Sequence, residues 1–152
     1  YAPEGEYSLF ICGPQAMYSF LNKEVPKLGL RRKFVRYELF GEYRHPEKDA
    51  KYTGNVDGVY ELTVRICDEI HTIPCRADET LLVSMERAGI AAPAHCRSGV
   101  CGWCHSRLIS GNVYIPATVD GRRLADKDYG YIHPCCTFPL GSIDLDVPPF
   151  KA

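Results

Sequence analysis

The 152-residue chain contains no long apolar run, so it has no candidate membrane-spanning helix. It carries almost no net charge: 18 Lys and Arg against 19 Asp and Glu give −1. Without a basic face, nucleic-acid binding is excluded as the main activity, and no polybasic stretch directs the chain to an anionic membrane surface. The opening Tyr1-Ala2-Pro3-Glu4-Gly5-Glu6 lacks a basic n-region and an apolar h-region, so it does not read as a signal peptide, and a cytoplasmic location is expected. A leading Met is also missing, and the chain reads as a piece of a longer one. No G-x-G-x-x-G or related phosphate loop occurs, so the chain alone is expected to bind no dinucleotide. Repeats and low-complexity runs are absent.

What the chain does have is 45% apolar residues, enough for a core, and eight cysteines: Cys12, Cys67, Cys75, Cys96, Cys101, Cys104, Cys135 and Cys136. Without a secretion signal, ligation is a better reading than disulfides for those that are tightly spaced. Cys67 and Cys75 flank a predicted hairpin and are expected to be small buried hydrophobes.

Residues 41–58 are polar, carry Gly and Pro, and show neither a period of two nor one of 3.6; they read as a linker or extended arm. Before them, residues 8–12 are strand-like and Pro14 suits the first turn of a helix. Met17, Phe20, Leu21 and Val25 recur at helical spacing, and residues 33–40 suggest a second strand. Such a β-α-β unit cannot bury its own apolar face, so residues 1–40 read as the last piece of a larger doubly wound domain. After the arm, Leu62, Val64 and Ile66 alternate in period two. A turn at Asp68-Glu69 leads into a second strand over residues 70–76, and Asp78-Glu79-Thr80 opens an apolar helix that Gly89 ends. Short strands follow at residues 105–110, 112–115 and 142–147. The order β-β-α-loop-β-β-β predicts an α+β fold, a mixed sheet curled over one helix in the β-grasp manner.

The sharpest signal is Cys96-Arg97-Ser98-Gly99-Val100-Cys101-Gly102-Trp103-Cys104, a C-x4-C-x2-C run with more cysteines further on. This is the ligand spacing of plant-type [2Fe–2S] clusters. Two irons bridged by two sulfides need four thiolates around a compact anionic core, and one curled loop can supply three of them. Gly99 and Gly102 are placed where such curling needs positive φ, and inward-turned amides can donate to sulfur. The fourth thiolate must come from a distant segment. The alternative of a Cys₄ zinc module would present two C-x2-C knuckles, and only one is present. His95, His105 and His133 are expected to be partly exposed hydrogen bonders rather than ligands. Trp103 either shields the cluster, marks a docking surface for a redox partner, or makes an ordinary apolar contact; Arg97 either offsets the cluster charge or is simply solvated.

With Glu79-Thr80-Leu81-Leu82, the cysteine loop and Gly130-Tyr131-Ile132-His133-Pro134-Cys135, residues 59–150 resemble the plant-type ferredoxin family. The resemblance implies a one-electron carrier whose fourth ligand is Cys135, with Cys136 an accompanying thiol. Phe10-Ile11-Cys12-Gly13-Pro14-Gln15-Ala16-Met17 and Arg36-Tyr37-Glu38-Leu39-Phe40 resemble the C-terminal end of the nucleotide-binding domain in the ferredoxin–NAD(P)⁺ reductase family. That second resemblance implies that Cys12, Gly13, Pro14 and Glu38 are the remnant of a nicotinamide site. The flavin-binding Arg-x-Tyr-Ser segment of the family is absent.

The order of the two parts is similar to reductases of the phthalate dioxygenase type. It implies a parent using NAD(P)H and FAD or FMN, with this chain passing electrons to a downstream acceptor and catalysing no turnover alone. The rival expectation is a stand-alone carrier whose N-terminal arm docks or dimerises.

Overall fold

The computed structural model describes residues 7–13, 15–39 and 41–149. Backbone contacts divide the chain after Gly41 into two units, each described by itself.

In the first unit, β1 (Leu9–Gly13) and β2 (Val35–Leu39) pair in parallel, Leu9 opposite Val35 and Cys12 opposite Glu38, with α1 (Gln15–Glu24) between them in sequence. Ile11, Tyr18 and Val25 are buried, packed by Leu9, Met17, Leu21 and Val35. The Tyr18 hydroxyl donates to the Ile11 carbonyl at 3.2 Å. Phe20, expected on the apolar face of the helix, is 64% exposed, and Phe10 is exposed as well. One helix on two strands covers only one face of the sheet, which leaves these rings in solvent. Pro14 lies outside the described residues, and of Glu38 only the backbone is described.

The second unit is built on a five-stranded mixed sheet. Its strands are β3 (Val59–Ile66), β4 (Glu69–Arg76), β5 (Ser106–Ser110), β7 (Tyr131–Ile132) and β9 (Ile143–Val147), in the order β4-β3-β9-β5-β7. The β3–β9 pair is parallel and the other pairs are antiparallel. A separate small ladder joins β6 (Val113–Tyr114) to β8 (Phe138–Pro139). The expected period of two is visible in burial: Leu62 and Val64 of β3, and Ile143, Leu145 and Val147 of β9, all point into the core. Against this face packs α2 (Leu81–Arg87), which buries Leu81, Leu82 and Met85. Thr80 caps its start, accepting the Val83 amide at 3.4 Å. At its end the Gly89 amide reaches the Glu86 carbonyl at 2.9 Å and the Ile90 amide the Met85 carbonyl at 3.0 Å. The arrangement is the α+β, β-grasp type that the sequence predicts, with the β-α-β unit ahead of it.

Three local expectations need correction. A short helix, α3 (Leu124–Asp128), was not expected; its first turn is held by the Arg123 amide donating to the Asp126 carboxylate at 2.8 Å. The β3–β4 turn is Cys67-Asp68, not Asp68-Glu69, because Ile66 pairs with Glu69. Cys75 is buried as expected, but Cys67 is exposed, at the first turn position with φ +53°. A two-residue turn with only its first residue at positive φ suits glycine there. An L-residue in that region costs roughly 1–2 kcal/mol, so Cys67→Gly is expected to stabilise the protein by about 1 kcal/mol once the added freedom of the unfolded chain is subtracted. Urea unfolding checks it, and a loss of stability would contradict the turn assignment.

Residues 42–58 lie along the second unit. Tyr43 packs edge-to-face on Phe138 with ring centres 6.1 Å apart, and Tyr52 on Tyr114 at 5.2 Å. Pro46 is buried, and the Tyr52 hydroxyl donates to the Ala77 carbonyl at 3.4 Å. No helix among the described residues is long and apolar enough to cross a membrane.

Candidate metal centre

The loop from Ile90 to His105 leaves the end of α2, carries Cys96, Cys101 and Cys104, and delivers the chain to β5. It curls through three positive-φ residues: Arg97 at +57°, Gly99 at +78° and Gly102 at +72°. The two glycines were expected to do this; Arg97, an L-residue in the same region, was not. The curl turns amides towards sulfur. Gly99 N–H donates to Cys135 Sγ at 3.3 Å, Cys101 N–H to Cys96 Sγ at 3.4 Å, and Trp103 N–H to Cys101 Sγ at 3.4 Å.

The fourth segment arrives by a different route. Residues 134–136 form a 3₁₀ turn after β7, and Thr137, which follows, accepts the Leu81 amide on its carbonyl at 2.9 Å. That bond ties the distant cysteines to the start of α2. Cys135 lies under the loop at 1% exposure and Cys104 at 4%, and the two thiols are near enough for each to shift the acidity of the other. Cys136 Sγ also lies against Gly99, but its thiol donates to the His133 carbonyl at 3.4 Å, and no amide among the described hydrogen bonds is directed at it. The sulfurs therefore fall into two pairs, Cys96 with Cys101 and Cys104 with Cys135. Among the described residues, no three His, Cys, Asp or Glu side chains converge on one metal-ion position.

The loop is pressed against its neighbours at Gly99. A Cβ built there would sit 2.1 Å from the Val119 carbonyl oxygen and 2.7 Å from Cys136 Sγ. The Gly99 carbonyl meets the backbone at Gly121, where a Cβ would stand 2.4 Å from it. The same carbonyl contacts Nδ1 of His133 at 2.7 Å, and since a carbonyl only accepts, the ring nitrogen donates. His133 is 2% exposed, which corrects its expected partial exposure; it is a strut under the loop. His95 is exposed and His105 half-buried. Trp103 is 54% exposed, so it is not a buried contact.

The thiols differ in acidity. Burial opposes ionisation of Cys96, but hydrogen bonds from Ser98 and Cys101 outweigh it and bring the thiol down to about 6. Cys104 is held well above the thiol range, foremost by the Cys135 thiol and then by burial. Cys75, which accepts the Ser84 hydroxyl at 3.1 Å, is pushed up to about 11, chiefly by burial.

Asp120, beside the loop on the Val119–Gly121 side, is held down to about 2, foremost by the Arg122 guanidinium bonded to it at 2.8 Å, with Lys127 at 3.2 Å. Because this carboxyl lies below its ordinary value of about 3.9, its contribution to stability is present above that value and disappears as the pH falls through about 2. The gap in Tm between the protein and Asp120→Asn is therefore expected to hold from neutral pH to about pH 4 and to close towards pH 2. A gap that persists there would contradict the assignment.

Of the residues singled out in the first unit, the strand register brings Cys12 opposite Glu38, and Gly13 ends β1.

Residues 64–140 match the family described as the 2Fe-2S iron-sulfur cluster binding domain. The stachydrine N-demethylase reductase subunit Stc4 of Rhizobium meliloti (strain 1021) is 25% identical over 143 residues, covering 93% of this chain and 40% of that protein. A component of the 1,2-phenylacetyl-CoA epoxidase of Escherichia coli (strain K12) is 32% identical over 145 residues, covering 90% of this chain and 39% of its own length. The chain thus spans about two fifths of the length of these curated relatives. A solved phthalate dioxygenase reductase, described as a modular structure for electron transfer from pyridine nucleotides to [2Fe-2S], shares the fold over 93% of this chain and 39% of its own, with a TM-score of 0.52 at 23% identity. With the family matched over half its length, and with amides aimed at the sulfurs of a C-x4-C-x2-C loop, the chain belongs to the 2Fe-2S iron-sulfur cluster binding domain family.

Proposed function

We propose that Cys96, Cys101, Cys104 and Cys135 hold a [2Fe–2S] cluster and that the chain is the C-terminal electron-transfer part of a flavin-dependent NAD(P)H oxidoreductase. The observation that carries the ligand assignment is the set of three amides directed at Cys96, Cys101 and Cys135, with the Cys104 thiol buried beside Cys135 in the same core. Two thiolate pairs suit two irons; a single zinc ion needs four donors around one point. When bound, such a cluster accepts and releases one electron at a time, near −400 mV as an order of magnitude. The chain's own residues hold the thiolates in place, supply the amide donors, and exclude water from the Cys104–Cys135 side while leaving Cys101 at the surface.

Residues 1–40 are then the end of a nucleotide-binding domain, with Cys12, Gly13, Pro14 and Glu38 bordering a nicotinamide site completed by the preceding part of the parent. The pairing of Cys12 with Glu38 supports this reading, as does the sheet face left uncovered at Phe10. Electrons would run from NAD(P)H through FAD or FMN to this chain and on to an acceptor protein in the cytoplasm, as the naming of a relative as a reductase component suggests.

Iron and acid-labile sulfide on anaerobically purified protein test the proposal, together with EPR. About two irons and two sulfides per chain, with a signal only after dithionite, is the expected result. Zinc without sulfide would overturn it.

A further inference from the structure

Arg97 sits between the proposed ligand Cys96 and Ser98, and its side chain turns away from the sulfurs. Its guanidinium grips two carboxylates from two other segments. One is Glu86 on α2, bonded by Nη1 at 2.6 Å and by Nη2 at 2.7 Å. The other is Glu42, bonded by Nε at 2.8 Å and also by Nη2. Glu42 is the first residue of the second unit, immediately after Gly41, and its side chain is 16% exposed. The next residue, Tyr43, meets Phe138 edge-to-face, so the arm is fastened at its origin by charge and then by an aromatic contact. Both carboxylates also raise the Arg97 pKa, Glu86 foremost.

We infer that Arg97 is a positioning residue: it latches the start of the arm over residues 42–58 to the cluster loop within the second unit, one residue from Cys96. The inference rests on the reading that this loop carries the cluster. A polar arm without such a contact would be free at its first residue; here two guanidinium donors converge on one oxygen of Glu42, while the fork closes on both oxygens of Glu86. The latch also sets the local charge. Arg44 also faces Glu42, at 3.7 Å, so two guanidiniums meet two carboxylates beside an anionic cluster, and each member of the network tunes the potential with its own sign.

The test uses the holoprotein, with Arg97→Gln and Glu42→Gln compared by hydrogen–deuterium exchange over residues 42–58 and by midpoint potential. Both variants are expected to retain iron and sulfide and to show several-fold faster exchange at the start of the arm. The potential is expected to move in opposite directions: negative for Arg97→Gln, which removes a positive charge, and positive for Glu42→Gln, which removes a negative one. A loosened loop alone would move both the same way. Unchanged exchange at full iron content in both variants overturns the latch and leaves the cluster reading standing, whereas wild-type protein without iron sinks the cluster reading itself. Should Arg97→Gln fail to load, Glu42→Gln decides alone, because Glu42 lies outside the loop.

Discussion

Cys104→Ser is expected to purify with iron and sulfide near zero and with no EPR signal after dithionite, while Cys67→Ser keeps the full complement. Three properties make Cys104 the more decisive of the loop cysteines. It is 4% exposed, so no solvent thiol or water readily replaces it. Its thiol interacts with that of Cys135 in the same buried cluster, which makes it the meeting point between the loop and the distant segment. It is also the last loop cysteine before the chain turns into β5, so it cannot swing to let a neighbour substitute. A serine oxygen is a harder and poorer ligand for this iron than a thiolate. Cys67 stands at the far end of a hairpin, exposed, and serves as the matched control for losing a thiol. A Cys67→Ser protein that folds but holds no iron would contradict the ligand set. A Cys136→Ser protein with full iron content would separate Cys135 from its neighbour in the manner the thiol directions indicate.

Gly99→Ala carries the second large effect. The new methyl would lie 2.1 Å from a backbone oxygen at Val119 and 2.7 Å from Cys136 Sγ, and the backbone stands at φ +78°. The conformational term alone is roughly 1–2 kcal/mol, and forcing an extra carbon into packed backbone typically adds about 1–3 kcal/mol. The sum, about 3 kcal/mol, is large against the total stability of a small domain. Relief requires the loop to back away from Val119 and Cys136, which withdraws the Gly99 amide from Cys135 Sγ. The expected outcome is a lower thermal midpoint together with substoichiometric iron. Gly141→Ala, where nothing lies within 4 Å of the added carbon, is the neutral control. Wild-type iron content and midpoint in Gly99→Ala would show that the loop is not held as described.

The parts legible in the sequence were those with a short-range code. The C-x4-C-x2-C spacing, the glycines within it, the Thr80 start and Gly89 end of α2, and the alternation in β3 and β9 each depend on neighbours a few residues apart. What escaped depended on contacts across the fold. α3 starts at an arginine, not at a Ser, Thr, Asp or Asn that would announce a cap, and is only five residues long. His133 looked like a surface hydrogen bonder because nothing near it in sequence reveals that Gly99, thirty-four residues earlier, supplies a carbonyl to it. The Arg97–Glu42 pair, fifty-five residues apart, left no trace in composition or period. Cys67 differs from its expected burial because a shift of one residue takes it out of the strand and into the exposed turn.

The parallel pairing of β3 with β9 has a consequence for how the protein is made. β3 begins at Val59, and its central partner does not begin until Ile143, so the middle of the sheet cannot close until nearly the whole described chain has been synthesised. The cysteine loop emerges well before that and stands on a half-built scaffold, with Cys135 not yet opposite Gly99. Thiols presented then would bind stray metal without the geometry that selects for iron and sulfide. Correct loading therefore belongs after β9 has joined the sheet, and a cell that withholds iron–sulfur assembly at that moment should accumulate the protein as a protease-sensitive species.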